Sequence, residues 1–364
     1  MDANTLDKLE NKLFIFHRIF QDVFDEILRF IQYGRGDECL CVIGPTGVGK
    51  SKMSYYLVDY LIRQSLNGWR PGSHDPITIE APAKSKNGFP WSSFIEELLM
   101  LLGEKDIRRK VDLDEVQRRK RDLVHPPFLS GLSAPKLESL VRLRVEQFKP
   151  SVILIDEAQN LVDDMSRADR KTNVNRLKSW ANRMETKFVL FGTHESKYFL
   201  DLNEQLSRRV APIYFPRYAK TEVGLRMFAE FYLGIKDQLG LVFDPKIEED
   251  FEDIYNYSLG CPGLLVTWIH HSISRCITSG QKSITKSVWD SQKLSSTRLT
   301  TIERAIKNFE LEYEKSIEPF NPDNVFPDEG QIDLAFKLDA KNSLKAMDKR
   351  PGMKKPKRHP VRED

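Results

Sequence analysis

At 364 residues with 30% charged residues and a mean hydropathy of −0.46, the chain is long enough for a sizeable core and two or three substructures. No apolar run approaches the ~18 residues of a membrane span, and residues Met1 to Asp7 lack a basic stretch followed by an apolar one. Four cysteines in such a length make no disulfide framework and show no paired metal spacing, which points to a soluble protein of the reducing cytoplasm. The net charge of +3 is uneven: from Lys341 onward nine Lys and Arg face three acids, so the remainder is net about −3.

Apolar residues three and four apart from Leu9 to Ile31 predict one amphipathic helix over about Leu6–Tyr33, ended by Gly34-Arg-Gly36. A short apolar run, Leu40 to Ile43, reads as a buried strand. It feeds Gly44-Pro45-Thr46-Gly47-Val48-Gly49-Lys50-Ser51, a complete G-x-x-x-x-G-K-[ST] loop, and then a helical pattern from Met53 to about Arg63. The glycines let backbone N–H groups curl around an anion. Lys50 would reach the β and γ phosphates of ATP, and Ser51 would hold Mg²⁺. Ile77–Glu80 reads as a second strand, and Ala81–Pro90 as a loop. Trp91–Leu102 follows as a helix.

Residues 104–122 are dense in both charges and close on Arg118-Arg119-Lys120-Arg121; the run is either solvated surface or a phosphate-backbone contact. A helix over Pro135–Phe148 leads to Ser151-Val-Ile-Leu-Ile-Asp156-Glu157, an apolar strand ending in two carboxylates. Asp156 would orient Mg²⁺ and Glu157 would polarise the attacking water. After a helix over Asn173–Thr186, the strand Phe188–Phe191 ends at Gly192-Thr193, where a small polar residue would lie beside the γ phosphate. A helix over Tyr198–Leu206, the pair Arg208-Arg209 and a strand over Ile213–Phe215 complete the alternation. Strands alternating with helices over 38–216 predict a parallel α/β sheet with ligand at the strand C-termini. From Thr221 the pattern is helical only: Glu222–Leu239, Lys246–Leu259, Leu264–Thr278 and Arg298–Lys315. The expected division is an N-terminal helix (1–36), an α/β ATPase core (37–219), a helical lid (220–317) and a largely disordered, basic-ended tail (318–364).

This constellation resembles the AAA+ ATPases: a P-loop NTPase core with a parallel five-stranded sheet, then an all-α lid. Within that class Ile153-Leu-Ile-Asp-Glu-Ala-Gln-Asn-Leu161, Phe191-Gly-Thr-His-Glu195 and Leu202-Asn-Glu-Gln-Leu-Ser-Arg-Arg-Val210 are similar to the TnsC/TniB transposition regulators. DnaA-like, origin-recognition and secretion ATPases share most of the frame. The resemblance implies ATP and Mg²⁺ as cofactors, and head-to-tail rings or helical filaments around duplex DNA. It also implies a link from a target-selecting factor to a transposase, with no membrane involved. Arg209 matches the trans-acting arginine finger, with Arg208 as its neighbour. Gly260-Cys-Pro-Gly263 is followed by Leu264-Leu-Val without the arginine many AAA+ proteins place there; either that sensor is absent or Arg275 substitutes. Lys84, Ser85 and Lys86, or the Arg118–Arg121 run, would follow a DNA backbone without reading bases. A signalling or secretion ATPase acting on protein alone is the competing expectation, and a helicase-like motor or kinase the third.

Overall fold

Five short apolar runs make the sheet, and their sequence shows why. The computed structural model describes residues 3–35, 38–67, 75–86, 88–104, 134–184, 186–201 and 210–316. Strand β1 (Cys39–Ile43) is buried at all five positions, as a strand covered on both faces must be. β2 is Ile77–Glu80, β3 Ile153–Asp156, β4 Phe188–Gly192 and β5 Val210–Tyr214. Their order is β2-β3-β4-β1-β5, and every pairing is parallel. Pro212 interrupts β5, which it can do because β5 is an edge strand paired only with β1. All four cysteines are reduced and buried, Cys39 and Cys41 within β1.

The predicted single N-terminal helix is broken. Helix α1 (Ala3–Asp7) runs into a π turn over Lys8–Lys12, and α2 starts afresh at Arg18 and ends at Tyr33. His17 makes the break: its backbone is extended, and its Nδ1 accepts the Phe20 N–H at 3.3 Å as an N-cap. The two halves serve different cores. Phe20, Val23, Ile27 and Ile31 pack with Val42, Leu154 and Phe191 of the sheet. Leu9 and Leu13 pack with Phe228, Phe231 and Ile269 of the C-terminal helices.

Helix α3 (Lys50–Leu66) follows β1 and buries Met53, Leu57 and Leu61 against the sheet. Helices α4 (Trp91–Leu101), α5 (Ala134–Phe148) and α6 (Arg167–Met184) are held together by polar contacts as well as packing. Trp91 donates to the Asn173 side-chain oxygen at 2.9 Å, and Asn173 donates to the Leu161 carbonyl at 2.8 Å, so α6 is tied to the turn after β3. Glu104, which is buried, is paired with Arg144 of α5, as a charge in that position requires. A short helix, α7 (Tyr198–Asp201), follows β4.

Beyond β5 the regular structure of the described residues is helical: α8 (Glu222–Leu239), α9 (Pro245–Glu248), α10 (Phe251–Ser258), α11 (Pro262–Thr278), α12 (Lys286–Ser291) and α13 (Ser296–Ser316). The helix expected over Lys246–Leu259 is two, because the chain turns at Asp250 with φ −108° and ψ 53°. Trp268 and Trp289 stack at 3.9 Å in the core of this layer, and the Trp268 indole N–H donates to the Trp289 carbonyl at 2.9 Å. The chain falls into two units, Met1–Phe309 and Glu310–Asp364, and of the second only the end of α13 is described. No described helix is long and apolar enough to cross a membrane.

Candidate functional site

The loop between β1 and α3 is built by its backbone. Gly47 and Gly49 have φ of +87° and +110°, a region that side-chain-bearing residues avoid, so the loop can wind with its N–H groups inward and open directly into the first turn of α3. The helix N-terminus adds its own unpaired N–H groups and partial positive charge. Gly44 is fixed from both sides: its N–H donates to the Gly192 carbonyl of β4 at 3.2 Å, and Phe215 N–H donates to the Ile43 carbonyl at 2.8 Å.

Lys50 folds back over this loop. Its ammonium donates to the Gly44 and Pro45 carbonyls at 2.8 and 2.9 Å. Burial pulls its pKa down to about 8, against the opposing pull of Glu157, Asp156 and Glu195. The site therefore holds one partly desolvated cation facing three carboxylates, with Ser51 exposed at the second position of α3. A glycine cradle, a lysine donating to two loop carbonyls, and hydroxyl and carboxylate oxygens opposite it fit a triphosphate with Mg²⁺. Among the described residues no group of three or more His, Cys, Asp or Glu could hold a metal by itself, so a Mg²⁺ ion here would share its shell with phosphate and water.

The tip of β3 carries the acids. Asp156 ends the strand and its Oδ1 accepts the Glu157 N–H at 2.9 Å. Glu157 takes the left-handed conformation, φ 51° and ψ 35°, uncommon for a residue with a side chain. Ala158–Leu161 then form a single 3₁₀ turn. Gln159 in that turn donates its amide to the Glu157 carboxylate and accepts the Thr193 N–H at 3.1 Å. Thr193, directly after β4, gives its hydroxyl to Glu195. The structure thus brings Lys50, Asp156, Glu157 and Thr193 to one end of the sheet, with Gln159 and Glu195 beside them.

Two cavities flank the loop. One, of about 280 Å³, lies between Pro45, Thr46, Thr193 and Glu195 on one side and Ile302, Ile306 and Phe309 of α13 on the other. The second, of about 380 Å³, opens beside Val48 and Gly49 and is walled mainly by apolar side chains, among them Leu13, Phe14, Phe20, Phe231 and Val266. Its other wall is the start of α11: Gly263 N–H donates to the Gly47 carbonyl at 2.6 Å, so the C-terminal helices touch the loop directly. Glu10 and His270 meet at 2.7 Å at the rim of this cavity. Arg275 lies twelve residues after Gly263 on α11, roughly 18 Å along the axis.

The expected DNA-contacting residues fare differently. Lys84 is paired with the carboxylate and carbonyl of Asp164. Ser85 closes a tight turn with Gly88, with backbone bonds of 2.9 and 3.1 Å, and Lys86 is exposed on it. Asn160 donates to the Ala81 carbonyl at 2.8 Å and ties this loop to the turn that carries Glu157. Arg208 and Arg209, Arg118 to Arg121, and the tail from 318 lie outside the described residues.

Residues 33–198 match the family model described as an AAA domain. No curated protein matches the chain. Among solved structures it is similar to the ORC1 protein of Aeropyrum pernix in complex with DNA, with a TM-score of 0.55 and 13% identity over 79% of this chain and 68% of that one. It is also similar to the ORC2 protein of Aeropyrum pernix in ADPNP–ADP complexes (TM-score 0.51, 12% identity, 82% and 74% covered) and to Cdc6p of Pyrobaculum aerophilum (0.50, 13%, 78% and 68%). At such identities the likeness is one of fold: a five-stranded parallel sheet flanked by helices, a glycine-rich loop after β1 and a helical C-terminal region make this the AAA+ P-loop NTPase fold.

Proposed function

We propose that the chain is an AAA+ ATPase that assembles head to tail on duplex DNA in its ATP form. In this reading it binds DNA largely without regard to sequence and links target-site selection to recruitment of a transposase. The observation that carries the nucleotide half is the loop itself, where Gly47 and Gly49 take positive φ and Lys50 donates to the Gly44 and Pro45 carbonyls. On binding, Lys50 would leave those carbonyls for the β and γ phosphates, exchanging weak neutral acceptors for charged ones. Ser51 and Asp156 are the residues to hold Mg²⁺, which when bound neutralises charge on the phosphate oxygens. Glu157 would take the proton of the attacking water, and Thr193 would sit beside the γ phosphate. The apolar cavity of about 380 Å³ beside Gly49 has the size and character for a nucleobase. Arg209 of a neighbouring subunit, with Arg208 beside it, would add positive charge at the γ phosphate and make turnover slow until subunits assemble.

The DNA half is supported by the fold shared with the ORC1 protein solved in complex with DNA. The transposition half is supported by the three segments 153–161, 191–195 and 202–210, and the tail from 318 with its basic end is the proposed docking arm for the transposase or target selector. The test is electron microscopy of the full chain with duplex DNA, comparing ATP or a non-hydrolysable analogue with ADP. Rings or filaments formed only with DNA and triphosphate, and lost in Arg209→Ala, are expected. Particles indifferent to DNA would overturn the DNA and transposition reading and leave an ATPase acting on protein partners.

A further inference from the structure

The turn after β3 carries one side chain that the roles above leave unused. Gln159 sits between two chemically opposite partners: the Glu157 carboxylate, which can only accept, and the Thr193 N–H, which can only donate. That pair fixes the orientation of the amide, since only its nitrogen can serve Glu157 and only its oxygen can serve Thr193. An ionised carboxylate has no donor and an ammonium no acceptor, so neither could make this bridge. The Thr193 hydroxyl in turn engages Glu195. A continuous hydrogen-bonded path therefore runs Glu157–Gln159–Thr193–Glu195, from the tip of β3 to the segment after β4. It crosses the end of the sheet beside the phosphate-binding loop.

We propose that Gln159 is a positioning residue that makes the aim of Glu157 depend on the place of Thr193. Glu157 is held in a left-handed backbone conformation, so its carboxylate is not settled by local chain preference and needs an external tether. Gln159 supplies it, and the other end of the tether is the residue that lies beside the γ phosphate. A shift of the Thr193 backbone is thereby transmitted to the carboxylate that handles the attacking water. The inference rests on the ATPase reading of the site and adds to it a coupling between phosphate sensing and the base.

The test uses the full chain under assembly conditions, with steady-state hydrolysis of ATP, titration of a fluorescent ATP analogue, and thermal melting. Gln159→Ala should lower kcat by about 10- to 100-fold, as expected for a misaimed base. KM, analogue affinity and melting midpoint should stay near those of the wild type. Gln159→Glu keeps the size and the acceptor for Thr193 N–H but sets a second carboxylate against Glu157. That repulsion breaks the tether at its Glu157 end while leaving the Thr193 end intact, so kcat of this variant should fall by a similar factor. Wild-type kcat in either Gln159→Ala or Gln159→Glu, or a parallel loss of binding and stability in Gln159→Ala, would overturn the proposal. A wild-type chain with no hydrolysis, unaffected in nucleotide binding by Lys50→Ala, would overturn the ATPase reading and the proposal together.

Discussion

Gly263→Ala tests whether the contact between α11 and the phosphate loop belongs to the nucleotide-binding form. A Cβ at Gly263 would stand 2.8 Å from the Gly47 carbonyl oxygen, 3.0 Å from its Cα and 3.2 Å from its carbonyl carbon. All three are backbone atoms and cannot swing aside. Gly47 itself is at φ +87°, a conformation with little latitude once the loop is wound. The clash is relieved only by parting α11 from the loop, which also breaks the 2.6 Å bond from Gly263 N–H to the Gly47 carbonyl. Overpacking of this kind costs about 1–3 kcal/mol. On the proposed reading nucleotide needs the two elements together, because the cavity proposed for its base lies between them. That strain should therefore appear in binding, as a Kd for a fluorescent ATP analogue raised about 5- to 150-fold. Gly280→Ala is the control: its φ is also positive, +67°, but a Cβ there meets nothing within 4 Å, so it should lower stability by about 1 kcal/mol and leave Kd alone. Gly263→Ala that binds as tightly as the wild type, at an unchanged melting midpoint, would refute the reasoning.

Lys50 titrates near pH 8, and phosphate favours its charged form, so binding above that pH should take up a proton. Titration calorimetry at pH 8.5 in buffers of different ionisation enthalpy should show the uptake, and affinity should fall as pH rises through 8. His17 is half-buried, and the desolvation pulls its pKa down to about 4, while the unfolded chain titrates near 6.5. Between those values the unfolded chain binds more protons, so stability should fall as pH drops from 6.5 towards 4, by at most about 3 kcal/mol. Urea melts at pH 7 and 5 read this, and His17→Asn, which keeps a cap acceptor, should flatten the slope. Leu57→Ala, at a fully buried position of α3, should cost about 2–5 kcal/mol, whereas Tyr55→Ala, 64% exposed on the same helix, should cost under about 1 kcal/mol.

The centre of the sheet was legible because β1, β3 and β4 are short apolar runs between helices with no period of their own. Cys39–Ile43 and Phe188–Gly192 are buried at every position, so hydrophobicity alone marked them. β5 was read three residues late, since Pro212 demotes the run that contains it, and nothing local says the strand lies at an edge. The break at His17 was hidden for a different reason. Apolar residues keep helical spacing on both sides of it, yet they face different cores, and periodicity reports that a face is buried without saying against what.

The same distinction separates the legible half of the site from the rest. A phosphate loop is made by consecutive residues, so its eight-residue spacing is already its geometry. Lys50, Asp156, Glu157 and Thr193 could each be named because they follow strands that carry their own signal. The apolar cavity beside Gly49 gathers Phe14, Val48, Phe231 and Val266 from four separate stretches, and no spacing links them. Gln159 stood in plain view two residues after Glu157, but its meaning lies in a bond to Thr193, thirty-four positions away. Sequence shows which groups can do chemistry; what each one answers to is set where the strands end side by side.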